Sequence, residues 1–342
     1  MSRLKELLRR YGTAGWLRWA LTITILVVAA VLTVRHWSVV TQGFETLRAA
    51  DWRWIAFGLV GVALSFLSMA AVMRRLLHAA GVTTANRRNT NALVLASNAW
   101  SASVPGGAAF AAALQIKRMV QWGASAVVVS WVLLFSGALS FLGMAFLGLS
   151  SLFFIGRGGT PAVLVTIAII VLLATALLWQ VTKKPELLTS AAHWGLGVVN
   201  KIRQRPADTG HEQVAKVIAQ LTEVRLGVGS LSISFFWSFM NWVTEIVALY
   251  AAVRAVGVDD ISATKILLVF VTGKLAGFIQ ATPGGVGTVE ALLTGALIAS
   301  GTTGAEAFAA VAVYRIISFA LPTIVGWIIY LLRFDRATAQ VD

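Results

Sequence analysis

Four ionisable side chains stand inside runs that are otherwise apolar: Glu245, Lys274, Glu290 and Arg315. Two carboxylates and two cations in such surroundings can neutralise one another, receive a charged group, or exchange a proton. A lone charge at membrane depth costs roughly 2.5 to 3.5 kcal/mol on insertion scales, so mutual pairing is favoured. At about 1.5 Å per helical residue, Glu245 and Arg315 each fall about 12 Å from the outer ends of their runs. Lys274 and Glu290 rise about 8 to 14 Å from a break at Gly284 and Gly285 toward the same side. One layer then holds all four. Asn241, one turn before Glu245, extends the polar strip on that helix face. Two readings stay open: a polar site for a headgroup or proton, and salt bridges that only lock neighbouring elements.

The break itself reads QATPGGVGTVEALL, residues 280 to 293. Pro283 ends one helical arm, Gly284, Gly285 and Gly287 permit positive φ, and a second arm begins near Thr288 with its positive dipole end exposed. Such an end accepts phosphate or carboxylate. A similar break occurs at Pro105, Gly106 and Gly107. Seven residues past that proline the side chain is Ala112, where the second break has Glu290. The scaffold is symmetric and its chemistry is not.

The elements that position these residues follow from composition. Of 342 residues, 58% are hydrophobic and 12% charged, with a mean hydropathy of +0.80, which predicts an all-α polytopic membrane protein. There are no cysteines, which excludes disulfides, thiolate metal sites and cysteine nucleophiles. The histidines His36, His78, His193 and His211 fall in predicted loops without ligand spacing, so no metal and no cofactor is expected. GVGTVE follows no predicted strand and is not a dinucleotide fingerprint. With no nucleophile constellation, an enzyme is the least favoured class. The net charge of +14 sits in clusters beside apolar runs, which points to topology and anionic lipid headgroups and away from nucleic acid. Most of the tryptophans, Trp16, Trp19, Trp52, Trp54 and Trp122 among them, flank spans as interfacial anchors.

Six full spans are predicted: Trp19–Val34, Trp54–Met73, Gly123–Phe154, Pro161–Val181, Leu226–Val253 and Ala307–Leu332. The segments Asn91–Ile116 and Ile266–Ala299 are broken near their middles and are read as re-entrant hairpins. With that topology 20 of the 28 basic residues face the cytoplasm and six face outward, with Lys274 and Arg315 inside the membrane. The bias places both termini in the cytoplasm, in a multi-pass protein of the cell membrane. Residues 1–50 hold a basic amphipathic start and a retained first helix, with no signal-peptide cleavage site. Residues 51–155 and 226–333 form two repeats, 156–225 connects them through a span and an amphipathic cytoplasmic loop, and 334–342 is a tail.

The repeat is visible in AAGVTTANRRNTNALVLASNAWSASVPGG (79 to 107) and AVGVDDISATKILLVFVTGKLAGFIQATPGG (255 to 285). Both have a Gly-Val turn, a polar linker, an apolar arm and the break, and WGASA and TGAEA follow the hairpins as matching turns. The first hairpin enters from the cytoplasm and the second from outside, so the repeats are inverted, a recurring transporter design. Broken backbone at membrane depth must be buried in protein or line a wet cavity.

ATPGGVGTVEALLTGAL followed by GAEAFAAVAVYRIISFALPTIVG resembles the C-terminal signature of the lysylphosphatidylglycerol synthase/flippase transmembrane family. Pro283, Gly284, Gly285, Gly287, Glu290 and Arg315 carry the likeness, which runs from about residue 50 to 333. Glu290 stands three residues past Gly287, where the family pattern has two. The first hairpin, VPGGAAFAAALQIKR, lacks the Arg and Glu that the family places after the break. The resemblance implies the lipid-translocating part alone, without the aminoacyl-transferring domain of larger members. The leading expectation is a flippase for an anionic phospholipid or lipid-linked headgroup, with Arg315 and Lys274 on its phosphate and Glu290 and Glu245 balancing charge or taking up a proton. Membrane lipids are the expected partners. A proton-coupled transporter of a small solute and a non-transporting envelope-assembly partner remain alternatives.

Overall fold

The computed structural model describes residues 37–104, 106–155, 227–278 and 283–335, with 165, 166, 169, 170 and 173 as further helical positions. Outside the described residues lie the amphipathic start, the span Trp19–Val34, most of Pro161–Val181, the loop 182–225, Pro105 and the tail beyond 335. Every described element is helical, with no strand among the described residues. In chain order they are α1 (Trp37–Arg48), α2 (Trp52–Ala79), α3 (Arg87–Ser103), α4 (Gly107–Gln121), α5 (Ala126–Ile155), α6 (Val228–Ala255), α7 (Ala263–Phe278), α8 (Thr288–Ala299), α9 (Gly304–Arg315) and α10 (Leu321–Tyr330).

Four helices are long and apolar enough to cross a membrane: α2, α5, α6 and the continuous helix Gly304–Phe334 that contains α9 and α10. Each exceeds the roughly 20 residues that about 30 Å of hydrocarbon demands. Less than half of each apolar window is buried, and Phe57, Val60, Leu134, Phe141, Ile324 and Ile328 stand exposed. Helices apolar on all sides are at home in lipid. The helices outrun the apolar runs that predict them. In α2, Arg74, Arg75 and His78 stay helical past Met73, because a charge near a span's end reaches the interface without ending the backbone ladder.

Two compact units can be distinguished. The first comprises Met1–Leu64, Leu95–Ala111 and Thr244–Asp342, and its core contains Leu249, Ile266, Phe270, Leu293, Leu297 and Ile317. Small residues set its helix spacing. A Cβ on Gly61 of α2 would lie 2.8 Å from the Thr244 carbonyl of α6, and one on Gly273 of α7 would lie 2.4 Å from Leu293 of α8. Close backbone approach of this kind is how helices associate without a hydrophobic driving force between them. α1, which the apolar runs did not predict, packs on α9, with Phe44 edge-on to Phe308 at 5.9 Å.

The second unit comprises Ser65–Val94 and Ala112–Val243. Leu76, Leu77, Leu93, Met119, Val129 and Leu139 fill its described core. Trp242 donates its indole N–H to the Ser140 carbonyl at 2.9 Å, and Ser65 donates to Asn241 Oδ1 at 2.9 Å in a buried pair.

The order of elements occurs twice. A 28-residue helix leads to a left-handed glycine, Gly81 or Gly257, then to an arm, a glycine-marked break, a second arm, another left-handed glycine, Gly123 or Gly301, and a long helix. One detail of the sequence match shifts. Gly123 pairs with Gly301 and not with Gly304, which is already helical. The helix caps then align: Ser125 Oγ accepts from Val128 N at 3.3 Å and Thr303 Oγ1 from Glu306 N at 3.3 Å, each satisfying an otherwise orphan helix-start donor.

The last helix is not uniform. A π-helical turn, Ile316–Ala320, follows Arg315, and the Leu321 N–H bonds back to the Ile316 carbonyl. Pro322 supplies the reason, since its ring and missing N–H conflict with regular α geometry and a widened turn accommodates both.

Candidate functional site at the second helix break

The first unit brings both glycine breaks together with the last helix. α7 ends at Phe278, Pro283–Gly285 forms one tight 3-10 turn, and α8 starts at Thr288. Gly284 has φ 60°, and a Cβ there would lie 2.3 Å from the Phe319 ring and 3.0 Å from the Ala102 carbonyl of the first break. The two tips therefore touch through a position only glycine fits. The first break closes equally tightly: a Cβ on Gly107 would lie 2.1 Å from the Trp100 carbonyl, and Gly106 has φ 73°.

The two tips are fastened by different chemistry. At the first, Trp327 donates its indole N–H to Ser103 Oγ at 2.8 Å, and the Trp100 ring meets Trp327, Tyr330 and Phe110 at 5.0, 5.4 and 5.5 Å. At the second, ions do the fastening. Arg315 Nε donates to Glu290 Oε1 at 2.5 Å, Arg315 Nη2 donates to the Gly284 carbonyl at 3.2 Å, and the guanidinium lies 4.0 Å over the Phe319 ring. Such stacking on an aromatic face suits a weakly hydrated planar cation.

Glu290 serves two partners, because its Oε2 accepts from the Gly287 N–H at 2.6 Å. The start of α8, expected to stand open to an anion, is thus met by the chain's own carboxylate. The cause is register: Glu290 is the third residue of α8, from which a glutamate reaches back to the cap. The neighbouring Thr288 hydroxyl is buried with no hydrogen-bond partner among the described residues.

The other two charges also pair. Lys274 Nζ lies 2.5 Å from Glu245 Oε1 and 5.2 Å over the Phe270 ring. Tyr314 is buried, with its hydroxyl within hydrogen-bonding reach of Glu245 and Ser318 and under the influence of the Arg315 charge. These side chains are not sealed: Glu290 is 32% exposed and Lys274 28%, against 15% for Arg315 and 16% for Glu245. Asn241 belongs to the second unit, in its pair with Ser65. Tyr314 and Phe319 were not singled out in the sequence. The signal existed, since Tyr314 is a phenol in an apolar run and Phe319 lies four residues after Arg315, within reach on a helix face.

An all-helical, multi-pass membrane protein with ion pairs at a helix break is the class that fold and site define. The model of the family described as the lysylphosphatidylglycerol synthase transmembrane region matches residues 17–326. The chain belongs to that family. It is similar to a UPF0104 membrane protein of Methanothermobacter thermautotrophicus, 34% identical over 97 residues, which are 28% of this chain and 29% of the relative. A second from that organism is 28% identical over 173 residues, 48% of this chain and 50% of the relative. One from Pyrococcus horikoshii is 31% identical over 101 residues, 30% of each chain. In these matches the chain spans half or less of the curated relatives' length.

Proposed function

We propose that this chain is a lipid translocase without enzymatic activity. It carries an anionic phospholipid or lipid-linked headgroup between leaflets along a polar route formed by two re-entrant hairpins. In this reading the protein has six spans, both termini in the cytoplasm of a cell-membrane protein, and α3–α4 and α7–α8 entering from opposite sides. One observation carries the reading: the Glu290–Arg315 pair is partly exposed at a helix break inside an apolar element, where a purely structural contact gains nothing from access. Membership of a family described by a lipid-modifying synthase's membrane region supports a lipid substrate. Arg315, with five N–H donors of which the described residues engage two, would take the headgroup phosphate. Glu290 would hold Arg315 in place until the phosphate replaces it.

The test is a proteoliposome assay with fluorescent anionic phospholipids and an impermeant quencher. Wild type is expected to equilibrate at least one probe faster than empty liposomes, with Glu290→Gln and Arg315→Gln slower by about tenfold or more, the scale of a lost charge-assisted hydrogen bond. Equal rates for wild type and empty vesicles with every probe would overturn the proposal.

The cap from Glu290 to Gly287 and the strap from Arg315 to Gly284 favour a second reading, in which the charges only hold the tip. It predicts that a hydrophobic pair at 290 and 315 keeps cellular function.

A further inference from the structure

A cavity of about 560 Å³ opens in the second unit, lined by Arg74, Arg75, His78, Asn86, Arg87 and Ser230 among others. These residues come from the end of α2, the turn before α3, the first residue of α3 and the start of α6. Three guanidiniums share one concave surface, where Arg87 and Arg75 lie close enough for their like charges to act on Arg74. The described residues of this unit contain no carboxylate to offset them. Like charges held together without a counterion repel, and a multiply charged oxyanion relieves that repulsion while matching the planar donor fork of arginine.

Two further features suit the same occupant. Asn86 caps α3, its Oδ1 accepting from the Asn89 N–H at 2.8 Å, so the helix's positive end opens beside Arg87. His78 donates from Nε2 to the Ala85 carbonyl at 2.8 Å, a carbonyl being able only to accept. That bond ties the α2–α3 turn, with Arg87 on one side, to the helix that carries Arg74 and Arg75 on the other. The cavity lies at the ends of two membrane-spanning helices, the level at which lipid phosphates sit.

We propose that this cavity is a binding site for a phosphate-bearing anion, separate from the Glu290–Arg315 layer and independent of the translocation reading. Phosphate chemistry at this level has two sources, a phospholipid headgroup and free phosphate. The purified 342-residue chain in neutral detergent, titrated with dihexanoyl phosphatidic acid and with inorganic phosphate, separates them. Wild type is expected to bind at least one probe, and Arg75→Gln/Arg87→Gln to bind it about tenfold more weakly or worse, the loss of charge-assisted hydrogen bonds. The Arg75→Lys/Arg87→Lys protein, which keeps the charge and loses the fork, should fall between them. Competition by inorganic phosphate assigns free phosphate as a source, and binding of phosphatidic acid alone assigns the lipid.

Ser230→Trp leaves every charge in place and fills the cavity, so it too must lose binding, and it guards against a misfolded charge variant. The proposal is overturned if wild type binds neither probe. Unchanged affinity in the double glutamine variant or in Ser230→Trp overturns it equally.

Discussion

Glu290 shows how one carboxylate can be committed twice, one oxygen to the Gly287 N–H and the other to Arg315. Removing either partner leaves a partly buried charge without its counterion, so Arg315→Gln should lower stability by roughly 1 to 3 kcal/mol. Glu290→Gln should do the same, and the double variant should recover part of the loss, with a coupling of roughly 0.5 to 3 kcal/mol. Thermal unfolding of the purified proteins measures the cycle, and strict additivity would show that the pair is not energetically joined. Glycine supplies a second comparison. Gly284→Ala places a Cβ against Phe319 at a φ of 60° and should cost roughly 1 to 3 kcal/mol. Gly295, exposed in mid-α8 with nothing within 4 Å of an added Cβ, should gain up to about 1 kcal/mol on changing to alanine.

Among elements, the close pairing of the last helix with α3 rests on Gly326. A Cβ there would lie 2.2 Å from the Leu95 carbonyl and 2.9 Å from Ala99. Gly326→Val forces these helices apart, and a loss of about 3 kcal/mol or more is expected, read as a drop in unfolding temperature. Trp327 fluorescence should change with it, because the indole would leave Ser103. The long helices and both breaks were legible in the sequence, since apolar length and Pro-Gly-Gly act locally. The partners were not. Glu245 and Glu290 carry the same charge at similar inferred depth, so nothing in spacing decides that Lys274, 29 residues from Glu245, takes it while Arg315, 25 residues from Glu290, takes the other. α1 was hidden because WSVVTQGFETLR is too short and polar to read as a span, and only packing on α9 explains its place. Arg74 and Arg75 of α2 and Arg87 of α3 look in the sequence like a topology signal, because a cavity built from three separate stretches has no sequence signature.

For the whole molecule, the cysteine-free chain makes topology directly measurable, because every introduced thiol is the only one. Arg88→Cys and Gln121→Cys flank the first broken segment, and Asp260→Cys and Ala299→Cys flank the second. Re-entrant hairpins of inverted repeats predict that an impermeant maleimide labels the first two from one face of the membrane and the last two from the other. Labelling of Arg88→Cys and Gln121→Cys from opposite faces would mean that α3 and α4 cross, and that the repeat is not inverted as proposed.

The unlike fastening of the two tips has a consequence for direction. Trp327 and the Trp100 cluster hold one tip by neutral contacts, whereas Arg315 and Glu290 hold the other by charge. In the translocase proposed above, two halves that share a plan but not a charge distribution would give the two open states different electrostatic energies. Releasing the neutral tip costs dispersion contacts and one hydrogen bond, nearly independent of the membrane voltage. In that proposal, releasing the charged tip would separate ions, and the step would respond to the voltage and to the charge of an entering headgroup. The resting preference for one face, and its reversal by an arriving anion, would then follow from a single asymmetric substitution pattern, glutamate at 290 against alanine at 112.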